Sequence, residues 1–131
     1  MTISQATAKE ASAWFNQPRF RPAYGGSEPI SFPDMGLYLW DSRGMAAFLP
    51  MGGRMWDIHV AAQSEGIALG RDAIAWFRDR VDGVIVAHIP DWNVKARRAA
   101  IAAGGRFVGE IKGAAVYDGR PYALRYYTWD S

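Results

Sequence analysis

The 131-residue chain has no cysteine, which excludes disulfides, thiolate nucleophiles and thiolate zinc sites. Histidine is also scarce: His59 and His88 are too few for a histidine-rich centre, so no metal is expected. No stretch reaches the roughly 18 to 20 uncharged apolar residues of a membrane helix. Lys9 and Glu10 interrupt the region where a secretory leader would place its apolar core. The expectation is a cytoplasmic protein with no membrane partner. A surplus of one charge is missing too, because fifteen Lys and Arg face thirteen Asp and Glu for a net +2. Proteins that track nucleic-acid phosphates concentrate many basic groups on one face. The one basic cluster here, Lys95, Arg97 and Arg98, lies in a helical pattern and reads as a solvated face, so no nucleic-acid partner is expected.

What the chain does have is apolar material. Half of it is hydrophobic, 14% is aromatic and six residues are tryptophan, a composition that packs into a globule and not a disordered coil. The length suits one domain over residues 1–131. Thr7-Ala-Lys-Glu10 is a capping box ahead of Ala11, Trp14 and Phe15, predicting a helix that Pro18 ends. From Pro18 to Pro33 four prolines and Gly25-Gly26 predict irregular chain, so residues 1–35 read as a helix and a proline-rich stretch.

Leu37 to Trp40 and Met45 to Leu49 flank Asp41-Ser-Arg-Gly44 and predict a β-hairpin. Met55 to Val60 predicts a third strand, with Trp56, Ile58 and Val60 on one face and Met55, Asp57 and His59 on the other. A helix follows in which Ile67, Gly70, Ile74 and Phe77 share one side. Val81 to Ile89, apolar on both faces at Val84-Ile-Val-Ala87, predicts a central parallel strand. Asp91 or Asn93 caps the next helix, and Gly104-Gly105 stops it. Phe107 to Tyr117 and Pro121 to Trp129 meet at Asp118-Gly119, a hairpin signal. The pattern implies an α/β (α+β) fold with a mixed sheet, its parallel pair joined by a right-handed crossover.

The corner between Val60 and the following helix carries the functional signal. A strand that enters a helix through small residues leaves the first helical amides unpaired, and the macrodipole adds partial positive charge there. Ser64, Gly66 and Ala68 leave such an anion site bare; the same small residues would equally let the helix pack close to the sheet.

Gln63-Ser-Glu-Gly66-Ile-Ala68 fits Gln/Arg-x-x-Gly-x-Gly/Ala, and here the chain resembles the GNAT superfamily of acyl-CoA-dependent N-acyltransferases. A second segment agrees in part. Asn93, Ala96 and Gly104 match the family's following helix, but its usual tyrosine is Ala100 and its usual phenylalanine is Gly105, with Phe107 a candidate to cover for the latter. The resemblance is good from Met55 to about Gly109. The front is atypical, with the family's first strand either near Phe20 or missing.

The resemblance implies a mostly antiparallel sheet with a central parallel pair splayed at the cofactor site. Residues 36–109 would hold the hairpin and acyl-CoA-binding core, and 110–131 the closing strands. It implies acetyl-CoA as co-substrate, no metal, and an amine acceptor of unknown identity. The pyrophosphate would lie on the backbone of Gln63, Ser64, Glu65, Gly66, Ile67, Ala68 and Leu69, with Arg71 in reach. Val60 and Asn93 would border the pantetheine arm. His59 and Asp57 are candidates for the base, His88 following them. Tyr117, Tyr126 or Tyr127 would replace the missing tyrosine acid. Two alternatives remain: a GNAT-fold structural or assembly protein of phage or prophage type, and a small α/β binding domain of another kind. Oligomeric state is open, a homodimer among the possibilities, and an exposed Trp92 or Trp129 would mark a contact surface.

Overall fold

A computed structural model of the chain describes residues 2–23 and 28–129. Its elements are β1 (Ser4–Ala6), α1 (Ala8–Phe15), β2 (Leu37–Asp41), β3 (Gly44–Gly52), β4 (Met55–Ala62), α2 (Gly66–Arg80), β5 (Val84–Pro90), α3 (Val94–Ala102), β6 (Arg106–Tyr117) and β7 (Arg120–Trp129). Between α1 and β2, Arg21–Ala23 forms a single 3₁₀ turn. The strands make one sheet in the order β1-β2-β3-β4-β5-β7-β6. Its only parallel contact among the described residues is β4 with β5; the other neighbours are antiparallel.

The first strand exists, but not near Phe20. It is the three-residue β1, paired with β2 through Ser4–Trp40, Gln5–Leu39 and Ala6–Tyr38. Its composition, Ser-Gln-Ala, carries no strand signal; the ladder to β2 makes it a strand. Phe20 is instead a core side chain beneath α1.

The sheet separates two cores. On β3, Ala46 and Phe48 face α2 and α3, whereas Met45 and Ala47 face α1. The α2 side collects Ile58, Ala73, Ile74, Phe77, Ile85, Ala87, Ala100, Tyr127 and Trp129, with Phe48 and Phe77 stacked at 4.7 Å. The α1 side collects Ala11, Phe15, Phe20, Tyr38 and Ala61. The predicted inward face of α2 is corrected at one position: Ile67 is 40% exposed, while Leu69 and Ala73 are fully buried. Ile67 lies in the first turn, before the helix has come down onto the sheet.

Local signals set most boundaries. Thr7 and Glu10 exchange both capping-box hydrogen bonds. Asn93, and not Asp91, caps α3 by accepting from the Ala96 amide. Asp118 and Gly119 have φ of 54° and 76°, the left-handed pair that a two-residue hairpin turn requires. Gly105 lacks a side chain because a Cβ there would lie 2.7 Å from the Trp129 ring. Trp129 therefore occupies the space beside Gly105, whereas Phe107 is 43% exposed and packs edge-on against Tyr127.

Candidate active site

Pairing between β4 and β5 lasts three rungs, Met55–Val84, Trp56–Ile85 and Asp57–Val86. Both strands then continue, β4 to Ala62 and β5 to Pro90, without pairing to each other. β4 stays hydrogen-bonded to β3 and β5 to β7, so the two halves of the sheet part after Asp57 and leave a V-shaped opening. Beyond Asp57 and Val86 the two facing strand edges are not paired with each other.

At the mouth of the gap lies the β4–α2 corner. The amides of Gln63 and Ser64 both donate to the Arg43 carbonyl, at 2.9 and 3.3 Å. The Leu69 amide donates to the Glu65 carbonyl. The amides of Glu65, Gly66, Ile67 and Ala68 have no partner among the described residues, so four of the seven backbone positions expected to hold a pyrophosphate keep a free donor. Glu65, at the N-cap, adopts a left-handed φ of 49° and makes no side-chain cap. A Cβ on Gly66 would meet only the Ala62 methyl at 3.4 Å, so packing does not demand glycine there. Its bareness serves the open side of the corner.

The corner is braced by a network not evident in the sequence. Arg43, buried in the two-residue turn between β2 and β3, holds Asp41 at 2.7 Å and Asp72 of α2 at 2.8 Å. Its carbonyl pins the loop while its guanidinium pins the first turns of the helix. Hydrogen bonding from Arg43 holds the Asp41 carboxyl below its ordinary pKa, against the opposing effect of burial. Gln63 reaches back to the Ser42 carbonyl at 2.8 Å, and Trp14 of α1 donates to the Ala61 carbonyl at 2.8 Å. Arg71 is turned away from the corner, its guanidinium donating to the Ala102 carbonyl at the end of α3. A helix terminus with unpaired carbonyls competes for that cation.

Asp57, His59 and His88 gather at the point where the strands part, on the face opposite α2 and α3. The parallel register carries Asp57–Val86 forward so that His59 and His88 stand level across the gap. His59 Nε2 is 2.8 Å from Asp57 Oδ2, and His88 Nδ1 is 2.9 Å from Asp57 Oδ1. The second contact is short but poorly aligned, leaving Oδ1 without a straight hydrogen bond. The Asp57 side chain is 7% exposed. Burial alone would raise its carboxyl, but the hydrogen bond from His59, the close His88 nitrogen and the charge of both rings outweigh that and hold it below the usual range. The bond to Asp57 raises His88 against the effect of burial. Tyr126 packs against His88, ring centroids 6.3 Å apart.

Tyr117 is elsewhere. It pairs with Arg120 at the tip of the last hairpin and stacks on Trp92 at 4.4 Å, whereas Tyr126 sits opposite His88. Val60, 37% exposed, lies beyond the last β4–β5 rung, and Asn93 begins α3 beyond the end of β5. Ala100, at the family's tyrosine position, is buried against the sheet. Trp129 is buried; the exposed tryptophan is Trp40 on β2.

No family model matches the chain, and no curated protein matches it in sequence. Solved structures match it in fold. An acetyltransferase of the GNAT family from Streptococcus pneumoniae superposes with a TM-score of 0.75 at 13% identity, covering 98% of both chains. A ribosomal-protein-alanine N-acetyltransferase from Brucella melitensis gives 0.74 at 17% identity, covering 98% of this chain and 99% of that one. Spermidine N-acetyltransferase from Vibrio cholerae, in complex with CoA and spermine, gives 0.74 at 14% identity over 97% and 94%. The chain has the GNAT fold.

Proposed function

We propose that the chain is an acyl-CoA-dependent N-acetyltransferase that moves an acetyl group from acetyl-CoA to an amine. The observation that carries this reading is the parting of β4 and β5 after Asp57, directly beside a helix corner with four unpartnered amides. A diphosphate fits those amides, where hydrogen bonds and the helix dipole favour negative charge. The pantetheine arm adds between the parted strands as a short extra strand. This brings the thioester beside Asp57 and His59.

The acceptor nitrogen attacks the thioester carbonyl, the carbon–sulfur bond breaks, and the CoA thiolate leaves. A backbone amide facing the gap polarises the carbonyl. An alkylamine is mostly protonated near neutral pH, so the step needs a proton acceptor, and the Asp57-oriented His59 is the group in place. Tyr126, beside His88, is the better candidate than Tyr117 for protonating the thiolate. The acceptor class is an amine, as in the spermine-bound relative.

Calorimetric titration with acetyl-CoA tests the reading. The wild type should bind in the micromolar range, and Gly66→Glu should abolish binding while leaving the fold intact, since the added side chain enters only the open corner. A folded wild type that ignores acetyl-CoA would overturn the assignment and leave a non-catalytic protein on the GNAT fold. Release of free CoA thiol in the presence of a panel of primary amines and polyamines would then identify the acceptor.

A further inference from the structure

We infer that Asp57, His59 and His88 form a site for one divalent transition-metal cation of the zinc, cobalt and nickel group. Two histidines distant in sequence become a pair because the crossover through α2 returns β5 beside β4 in parallel register. One ligand atom from each of the three residues lies within 4.8 Å of the others. His59 Nε2 lies 2.8 Å from Asp57 Oδ2 and His88 Nδ1 2.9 Å from Oδ1, so the rings flank the carboxylate on its two oxygens, and ring rotations that turn both nitrogens toward one oxygen approach the roughly 3.3 Å between donors around a tetrahedral zinc.

Three further features fit an ion. The buried Asp57 offers in Oδ1 an anionic oxygen with no aligned donor. The histidine rings stand nearly perpendicular, 88° at 5.7 Å, and their side chains are 28% and 35% exposed, so one side of the cluster is open for entry and for a remaining water ligand. All three residues are fixed on hydrogen-bonded strands. Two imidazole nitrogens and one carboxylate oxygen suit borderline cations, while magnesium and calcium favour oxygen-only shells. Both imidazoles bind as neutral ligands and release any proton they carry.

The test needs no coenzyme and does not depend on the acyl-transfer reading. Metal-free, untagged full-length protein is titrated with Co(II) and followed by its visible d–d absorption. A band that saturates at one equivalent and disappears on adding Zn(II) is expected. His59→Gln and His88→Gln should each weaken binding at least about tenfold. Asp57→Asn should do the same, with circular dichroism to verify folding; the half-exposed histidine variants carry the test if it fails to fold. Asp91→Asn, outside the cluster, should bind like wild type. Absence of a saturable band, or a band undiminished in both histidine variants, would overturn the inference.

Discussion

Glu65 bends the chain at the corner with a backbone conformation few non-glycine residues adopt. Its left-handed φ carries strain, and its carboxylate stands at the edge of a site suited to anions. Glu65→Asn removes the charge and supplies a residue at ease in both the left-handed region and the N-cap. It should stabilise the fold by roughly 0.5 to 1 kcal/mol in chemical denaturation and tighten acetyl-CoA binding in calorimetry. Gly105→Ala tests the opposite situation. The new methyl would press on the Trp129 ring and on the Ala100 carbonyl at 2.9 Å, at a cost of about 1 to 3 kcal/mol. At this scale the sequence was informative about backbone and poor about partners. It marked the Asp118-Gly119 turn and narrowed the α3 cap to Asp91 or Asn93, because such signals act within a few residues. It could not show that Arg71 faces the Ala102 carbonyl or that Tyr117 stacks on Trp92, since those partners come from other elements.

Between elements, the Asp41–Arg43–Asp72 network ties the β2–β3 turn to α2 and so sets the pose of the corner. Arg43→Gln would leave Asp41, with 2% of its side chain exposed, without its cation. Breaking a buried pair this way costs about 3 to 5 kcal/mol, which a shift in the urea midpoint would report. The pH dependence follows from the same pair. Asp41 titrates lower in the folded protein than in the unfolded chain, so its contribution is complete above the unfolded carboxyl pKa of about 4 and is lost as pH falls through the folded value. Denaturation at pH 7 and pH 3 should show a smaller difference for Asp41→Asn than for wild type. Element identity was largely legible, because the 3.6 and 2 periodicities of α2, β4 and β5 follow from burial on one or both faces. β1 was not, since three polar and small residues become a strand only when β2 offers its edge.

Across the whole molecule, β4 parts from β5 after Asp57, and filling of that opening by the proposed coenzyme should be visible as global stability. At a hundredfold excess of acetyl-CoA over its dissociation constant, the folded state should gain about 2.7 kcal/mol, seen as a rise in Tm that Gly66→Glu lacks. No helix among the described residues is long and apolar enough to cross a membrane. By itself the sequence determined what short-range physics can encode: the periodicity of most elements, their caps and turns, and a small-residue corner after β4 that leaves helical amides bare. Only the tertiary structure decided that β4 and β5 part after Asp57, that Arg43 braces the corner, and that His59 and His88 meet over one buried carboxylate. Those outcomes depend on strand register across a crossover, and register is fixed by packing against the rest of the sheet, which no local stretch of residues contains.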